Sequence, residues 1–387
     1  MKVLSVHNHY QQFGGEDKVF ASETELLEAH GNQVIRFTIS NDQASDSSPL
    51  DLAKATIWNE DIYQELRSII RKERPQVAHF YNTFLLISPA AYHAAKAEGV
   101  PVVQSLQNYR LLCPNKGLLF RENKICEECV GKFFPWPGVV HGCYRGSRPQ
   151  TAVIAVMLAF HRALQTYQNK IDIFMPTIEF VAEKHVEGGF PAEKMMVKPN
   201  FLEPDPGVGA GEGDFVLYVG RLTEEKGIFT LLKAWETLGK HIPLKLIGSG
   251  PLTEYTEQAA SKNPGVEYLG FKPMQEIYEL MGQARALVCP SEWYEPFGLV
   301  VIEAYAKGTP VIASKEGSLK TLVEHQRTGL HFAPGHTDKL VKEVEWMLAH
   351  PQEWQQMRKA VRAEFEQKYT AEQSYQRLIH IYQTAIG

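Results

Sequence analysis

Long hydrophobic runs are missing from this 387-residue chain. The longest uninterrupted apolar stretch, Ala152 to Phe160, has nine residues, against the ~20 that cross a bilayer as a helix. The first fifteen residues turn polar after Val6, which predicts no secretory leader. Cysteine is scarce: five residues, unevenly placed, are too few for a disulfide scaffold and predict a reducing compartment. A basic surplus is absent as well. Forty Lys and Arg stand against 45 Asp and Glu, for a net charge of -5, which excludes a general nucleic-acid binder but not local basic clusters. There is no tandem repeat of the 20–50-residue kind and no low-complexity tract. No His-Glu-x-x-His occurs, so His7, His9 and His79 read as core or rim residues. What remains, with 44% hydrophobic residues, is a cytosolic chain with enough apolar material for two domains.

Strand-like and helix-like runs alternate along it. Lys2–Val6, Gln33–Phe37, Val77–Tyr81 and Val100–Leu106 read as strands, separated by helices over Glu16–His30, Ile62–Lys72 and Pro89–Glu98. Glu203 to Asp214 then packs two prolines and four glycines into twelve residues and reads as a linker. The rhythm restarts with strands at Phe215–Val219, Leu244–Gly248, Val266–Leu269, Ala286–Cys289 and Pro310–Ala313. Helices are expected over Gly227–Leu238, Met274–Gly282 and Leu299–Lys307. This βαβ order predicts an α/β chain of two Rossmann-like, doubly wound parallel-sheet domains facing a deep interdomain cleft.

Three glycine-marked turns follow strands. Phe13-Gly14-Gly15 precedes a helix whose N-terminus offers free N–H groups, although a lone glycine pair also makes an ordinary turn. Gly220-Arg221-Leu-Thr-Glu-Glu-Lys226-Gly227 sets two cations beside a helix start, where they suit a diphosphate or pair with Glu224 and Glu225. In Glu295-Pro-Phe297-Gly298-Leu299-Val300-Val-Ile-Glu303 the amides from Phe297 to Val300 open a helix. Glu295 then lies just before that helix and Glu303 about two turns inside it. Eight residues of helical rise would separate the two carboxylates by roughly 12 Å, about the span between the sugar rings of a nucleotide sugar.

These residues resemble the retaining glycosyltransferases of family 4 with the GT-B fold. The Glu295-x7-Glu303 spacing and the Gly220-to-Lys226 loop carry the likeness. Gly248-Ser-Gly250-Pro251, Leu269-Gly-Phe271, Val288-Cys-Pro-Ser291, Gly308-Thr-Pro-Val311, Thr328-Gly-Leu330 and Pro199-Asn200 support it. The resemblance implies that Arg221 and Lys226 bind the donor diphosphate and that Glu303 holds the ribose. It implies that Glu295 contacts the transferred sugar while the amides of Phe297, Gly298, Leu299 and Val300 meet phosphate or sugar. Gly250 and Phe271 would complete the donor site, with Phe271 near the base. Gly14 and Gly15 would approach the diphosphate from the first domain. UDP-glucose is the first choice of donor, and a glycan or lipid-linked saccharide in polysaccharide biosynthesis the expected acceptor. No Asp-x-Asp sequence occurs, which fits a metal-independent transfer needing no catalytic cofactor. One departure stands out. Where members of the family often carry His-Asp or His-Asn, this chain reads Gln107-Asn108; an amide can bind a sugar hydroxyl but takes no proton at neutral pH. That leaves a second reading, a nucleotide-sugar-binding protein of low or lost activity. A nucleotide-sugar oxidoreductase or epimerase would need a Gly-x-Gly-x-x-Gly turn after the first strand, which Phe13-Gly14-Gly15-Glu16 does not supply. The expected domains are 1–202, a linker at 203–214, 215–370, and a helix over 371–387 that the resemblance returns to the first domain.

Cys113, Cys126, Cys129 and Cys143 lie together in the long segment from Tyr109 to Ser147. They suit a structural zinc clip, reduced packed thiols, or a reversible disulfide. The same segment carries Phe133-Phe134-Pro-Trp136 with His141, Tyr144, Arg145 and Arg148. Trp136, His141 and Arg145 are therefore candidates for the acceptor side, and peripheral contact with the inner face of a membrane is a further expectation. Ala152 to Tyr167 reads as an apolar helix with Ile154, Met157, Leu158, His161 and Leu164 near one face, packed in the core.

Overall fold

The structure is a computed structural model describing residues 1–11, 14–46 and 48–387. It divides into two units. The first comprises Met1–Leu119, Cys126–Asn200 and Ser374–Gly387, the second Phe120–Ile125 and Phe201–Gln373.

The first unit is built on five parallel strands: β1 (Lys2–His9), β2 (Gln33–Ser40), β3 (Val77–Asn82), β4 (Val102–Leu106) and, beyond the short antiparallel pair β5 (Phe120–Arg121) and β6 (Lys124–Ile125) that groups with the second unit, β7 (Ile173–Pro176). Their order is β2-β1-β3-β4-β7. Every residue of β3 and β4 is buried. Strands covered on both faces lose the apolar–polar alternation of a half-exposed sheet and read as near-continuous apolar runs. β7, absent from the sequence reading, is such a run of four buried residues.

The second unit has six parallel strands: β8 (Val216–Val219), β9 (Leu244–Ile247), β10 (Val266–Gly270), β11 (Ala286–Cys289), β12 (Val311–Ser314) and β13 (Gly329–Phe332). They are ordered β10-β9-β8-β11-β12-β13. In each sheet the order reverses once, between β1 and β3 and between β8 and β11. At such a switch point the loops leaving two neighbouring strands diverge to opposite faces and open a crevice at their carboxyl ends.

The expected linker is not free-standing. The Gly209, Gly211 and Gly213 amides donate to the carbonyls of Lys307, Gly282 and Gln283 at 2.8–3.0 Å. Arg362 grips Asp205 at 2.6 Å. The glycines therefore serve close backbone approach rather than flexibility: a Cβ on Gly209 would sit 2.2 Å from Gly282 Cα. The chain enters the second unit at Phe201 and leaves it after Gln373, a few residues from the expected limits. The last helix, Ala371–Ile386, groups with the first unit from Ser374 onward. Its Leu378, Ile381 and Tyr382 join Val3, Leu27, Val77, Val103 and Met175 in one core.

A charged pair lies inside the first unit. Lys198 Nζ donates to Glu23 Oε1 at 2.5 Å, with the side chains 1% and 0% exposed. Burial, the largest single influence, raises the Glu23 carboxyl, but the Lys198 charge, His79 and the hydrogen bonds from Lys198 and Tyr81 together hold the group below its ordinary value of 4.5. The contribution of Glu23 to stability is thus complete above that pH and lost as pH falls through the depressed value. Removing one partner strands the other charge, so Glu23→Ala should cost about 3–5 kcal/mol in denaturant unfolding, and Glu23→Leu combined with Lys198→Met should recover most of it.

Candidate active site

Each strand of the second sheet ends in a loop stitched to its neighbours by backbone bonds. Gly220 N–H donates to Ile247 O at 3.1 Å, Leu222 N–H to Ser249 O at 3.0 Å, and Gly248 N–H to Gly270 O at 2.9 Å. Tyr218 and Tyr268 clamp the same loops, their hydroxyls donating to Arg221 O (3.0 Å) and Gly248 O (2.9 Å). Two glycines make this approach feasible. A Cβ on Gly248 (φ 146°) would lie 1.8 Å from Gly220 O, and one on Gly227 (φ 71°) 1.9 Å from Pro290 O.

This stitching brings residues from the switch-point strands together. Lys226, at the end of the loop after β8, donates to Glu295 Oε1 in the loop after β11. Ser291 Oγ donates to the same oxygen at 2.8 Å. Glu295 is 7% exposed, and Lys226 also stands over the Trp293 ring at 5.5 Å. The lysine therefore pairs across the loops and not with Glu224 or Glu225. Arg221 is exposed and forms no ion pair among the described residues. Thr230 Oγ1 to Glu292 Oε1 at 2.6 Å and Glu292 N–H to Glu225 O at 2.8 Å fasten the two loops further.

The helix Leu299–Ala306 starts on Gly298, whose φ of 92° is left-handed. The first amides of a helix have no partner within it; here they are those at Leu299 and Val300, behind the buried ring of Phe297. Glu303 is buried on this helix, and its charge reaches Tyr278, whose hydroxyl is pushed up by burial first and by Glu303 second. Glu303 is the fifth helical residue, one turn inside and not two. The segment Glu295–Gly298 is non-helical, so the 12 Å estimate from continuous helical rise does not apply. Gly250, at the tip of the loop after β9, donates to Thr253 Oγ1 at 2.9 Å. Phe271, just past β10, is 80% exposed.

In the first unit the switch point is more polar than the sequence suggested. Of the first glycine turn, Phe13 lies outside the described residues. Gly14 is extended and its N–H is already taken by Asp17 Oδ2 at 2.9 Å, leaving Gly15 exposed at the helix start. Asp17 Oδ1 also receives His7 Nε2 at 2.9 Å and His9 Nδ1 at 3.0 Å. These three are the one set of His, Cys, Asp or Glu ligand atoms within 4.8 Å of one another among the described residues. Next to them, Glu16 accepts from Tyr10 and from Asn108 Nδ2 (3.1 Å), and Arg110 Nη2 donates to Tyr10 Oη at 3.0 Å. Burial pushes the Glu16 carboxyl up, against the pull of Arg110. Glu16, Gln104, Gln107, Asn108 and Arg110 line a cavity of about 40 Å³. Glu16 and Asp17 directly follow the Gly14-Gly15 turn and Arg110 lies just past Gln107-Asn108, but it takes the β1-β3-β4 order to bring the loops after β1 and β4 together. Gln107 and Asn200 exchange both amide hydrogen bonds at 3.0 Å, which explains why Asn200 sits where it does in the sequence pattern.

The four grouped cysteines are in no disulfide. Burial pushes the Cys113 thiol up to about 12 and Cys129 to about 11, each also feeling the Cys143 sulfur. No three of their sulfurs meet the 4.8 Å spacing that His7, His9 and Asp17 satisfy. Trp136 is 55% exposed, and His141 and Arg145 are exposed as well.

Residues 206–364 match the family described as glycosyl transferases group 1, a span that contains the β8–β11 site. An uncharacterized glycosyltransferase of Methanocaldococcus jannaschii is 35% identical over 139 residues, 35% of each chain. The glycogen synthase of Mycobacterium tuberculosis is 34% identical over 168 residues, 42% of this chain and 40% of that one. The chain thus spans less than half the length of these two relatives. Among solved structures, Anabaena HepE in complex with UDP-glucose matches with a TM-score of 0.68 at 17% identity, over 99% of this chain and 100% of that chain. At that identity the likeness is one of fold, and the fold is GT-B.

The glycine contacts set the geometry of the site, so Gly248→Ala should lower stability by about 2–3 kcal/mol through the clash with Gly220. Thermal unfolding of the variant against the parent chain measures it.

Proposed function

We propose that this chain is a retaining, metal-independent glycosyltransferase of family 4 that moves a hexose from a nucleotide sugar, UDP-glucose first, to a glycan or lipid-linked saccharide. The observation that carries the reading is Glu295, a buried carboxylate held by Lys226 and Ser291 at the switch point beside a helix entered through left-handed Gly298. The group-1 match over the same residues supports it, as does the UDP-glucose bound to HepE.

In this reading the donor diphosphate draws the Lys226 ammonium away from Glu295. Lys226 and Arg221 then offset the charge that grows on the leaving diphosphate, aided by the amides from Phe297 to Val300. Glu295, released, accepts hydrogen bonds from the hydroxyls of the transferred sugar. Glu303 serves the ribose, Phe271 flanks the base, and Gly250 lets the loop after β9 approach the nucleotide. Gly14, Gly15 and Gln107 are assigned to donor contacts, and Trp136, His141 and Arg145 to the acceptor. The acceptor hydroxyl attacks on the face the diphosphate leaves, its proton passing to the departing phosphate oxygen, so the anomeric configuration is retained. The contribution of the chain is orientation and fixed charge.

A second reading, nucleotide-sugar binding with weak or no transfer, is favoured by Gln107, an amide that takes no proton at neutral pH and that exchanges hydrogen bonds with Asn200. A thermal-shift screen of nucleotide sugars followed by a transfer assay separates the two. Stabilisation of about 2.7 kcal/mol is expected at a donor concentration of 100 Kd; transfer supports the first reading, and binding without transfer or hydrolysis the second. Lys226→Ala and Glu295→Ala should each lower kcat about 10²–10³-fold. Full transfer activity in Glu295→Ala would remove that residue from the mechanism.

For Cys113, Cys126, Cys129 and Cys143 the proposal is a structural zinc clip. It rests on four thiols in one segment, none of them in a disulfide, and it requires their sulfurs to draw closer than they stand here, where no three lie within 4.8 Å of one another. Metal analysis of the purified chain should find about one zinc per chain, released by a thiol-modifying reagent; no zinc with all thiols free would remove the clip.

A further inference from the structure

The helix Arg148–Ala163 has a second face that its core role does not use. Its inner side buries Ile154, Met157, Leu158 and His161, as its pattern predicts. Leu164, expected in that core, lies instead just past the helix and is 43% exposed. With Val156 (43%) and Phe160 (40%) it continues a stripe at four-residue spacing on the outer side. Between Arg148 and Arg162 there are thirteen residues without a Lys, Arg, Asp or Glu. A helix lying on a water-facing surface normally carries its charges there.

The aromatic loop is strapped alongside. Arg162 donates to the carbonyls of Lys132 and Phe133, and Arg148 Nε to Val140 O at 2.9 Å. This holds Phe133 (61% exposed), Phe134 (37%) and Trp136 (55%) beside the helix. Of the fifteen large apolar side chains exposed among the described residues, seven fall within residues 133–164, so the exposure is concentrated and not scattered. The charge is concentrated too. From Cys129 to Ile171 the chain has five Lys and Arg and no Asp or Glu, within a protein of net charge -5. Lys132, Arg145 and Arg148 are exposed around the aromatic tip.

We propose that this face, the Phe133–Trp136 loop with the outer side of the Arg148–Ala163 helix, docks on an anionic lipid surface. Apolar rings and aliphatic side chains would enter the headgroup boundary while the cations meet lipid phosphates. Neither element is long and apolar enough to cross a membrane, so the contact is interfacial. The combination of apolar insertion with local positive charge is what selects an anionic bilayer over a protein partner here: a second copy of this face would bring like charges together.

The test is co-sedimentation of the full chain with vesicles of phosphatidylcholine alone or mixed with phosphatidylglycerol, which needs no transfer assay and so stands or falls apart from the enzymatic reading. The parent chain should partition at least tenfold more strongly onto the phosphatidylglycerol vesicles, with most of the gain lost in about 0.5 M salt. Phe133→Ser with Phe160→Ser, and separately Lys132→Glu, should each reduce partition at least fivefold while circular dichroism and the thermal midpoint stay unchanged. Equal partition of the parent chain onto both vesicle types, no partition at all, or self-association through this face in analytical ultracentrifugation without vesicle binding would each overturn the proposal.

Discussion

Everything at the second unit's switch point depends on backbone touching backbone. No side chain has room at Gly227 or Gly248, because Pro290 O and Gly220 O occupy the space. The loops after β8, β9 and β11 therefore close on one another, and the residues they carry have little choice of position. Lys226 and Glu295 come from strands 69 residues apart in sequence, yet the contact is inevitable once β8 and β11 are neighbours and the loops are stitched. A carboxylate this buried would be costly alone; the ammonium and the Ser291 hydroxyl offset that cost, while the Trp293 face lies against the ammonium.

The two switch points are built differently. In the second unit the buried carboxylate is answered by a half-buried lysine and a serine hydroxyl. In the first, Asp17 and Glu16 are saturated by neighbours: two imidazoles and an amide on one, a phenol and Asn108 on the other. The second unit keeps an exposed Arg221 that forms no ion pair among the described residues, while the first unit's carboxylates are hydrogen-bonded by their neighbours.

Much of this was legible in the chain itself, because βαβ order, glycine turns and capping signals are local. The strands over Val77–Tyr81 and Ala286–Cys289 and the helix after Gly298 needed nothing beyond a short window. What was not legible depended on adjacency. Pairing of Lys226 with Glu295 in place of Glu224 or Glu225 follows from strand order, and the Tyr10–Glu16–Arg110 group from β1 lying beside the strands that follow β2. The Glu203–Asp214 stretch was misjudged for a related reason: its glycines look like flexibility in sequence, but they permit contact with Lys307, Gly282 and Gln283. β7 and β13 are missed although they are no shorter than β8, β9, β11 and β12, which are found.

The way the chain passes between its units has a consequence for how such a protein could arise. Leu202 and Thr370 form a parallel bridge, with Leu202 N–H donating to Tyr369 O at 3.0 Å, so the second unit's entry and exit are zipped together. Apart from the six residues of the β5–β6 pair, that unit is one continuous segment with adjoining ends, the arrangement that domain insertion tolerates best. The first unit is its opposite: it closes its core only when Leu378, Ile381 and Tyr382 come back from the far end of the chain. A gene could exchange the second unit as a single cassette, but the first can be replaced only by changing both ends at once.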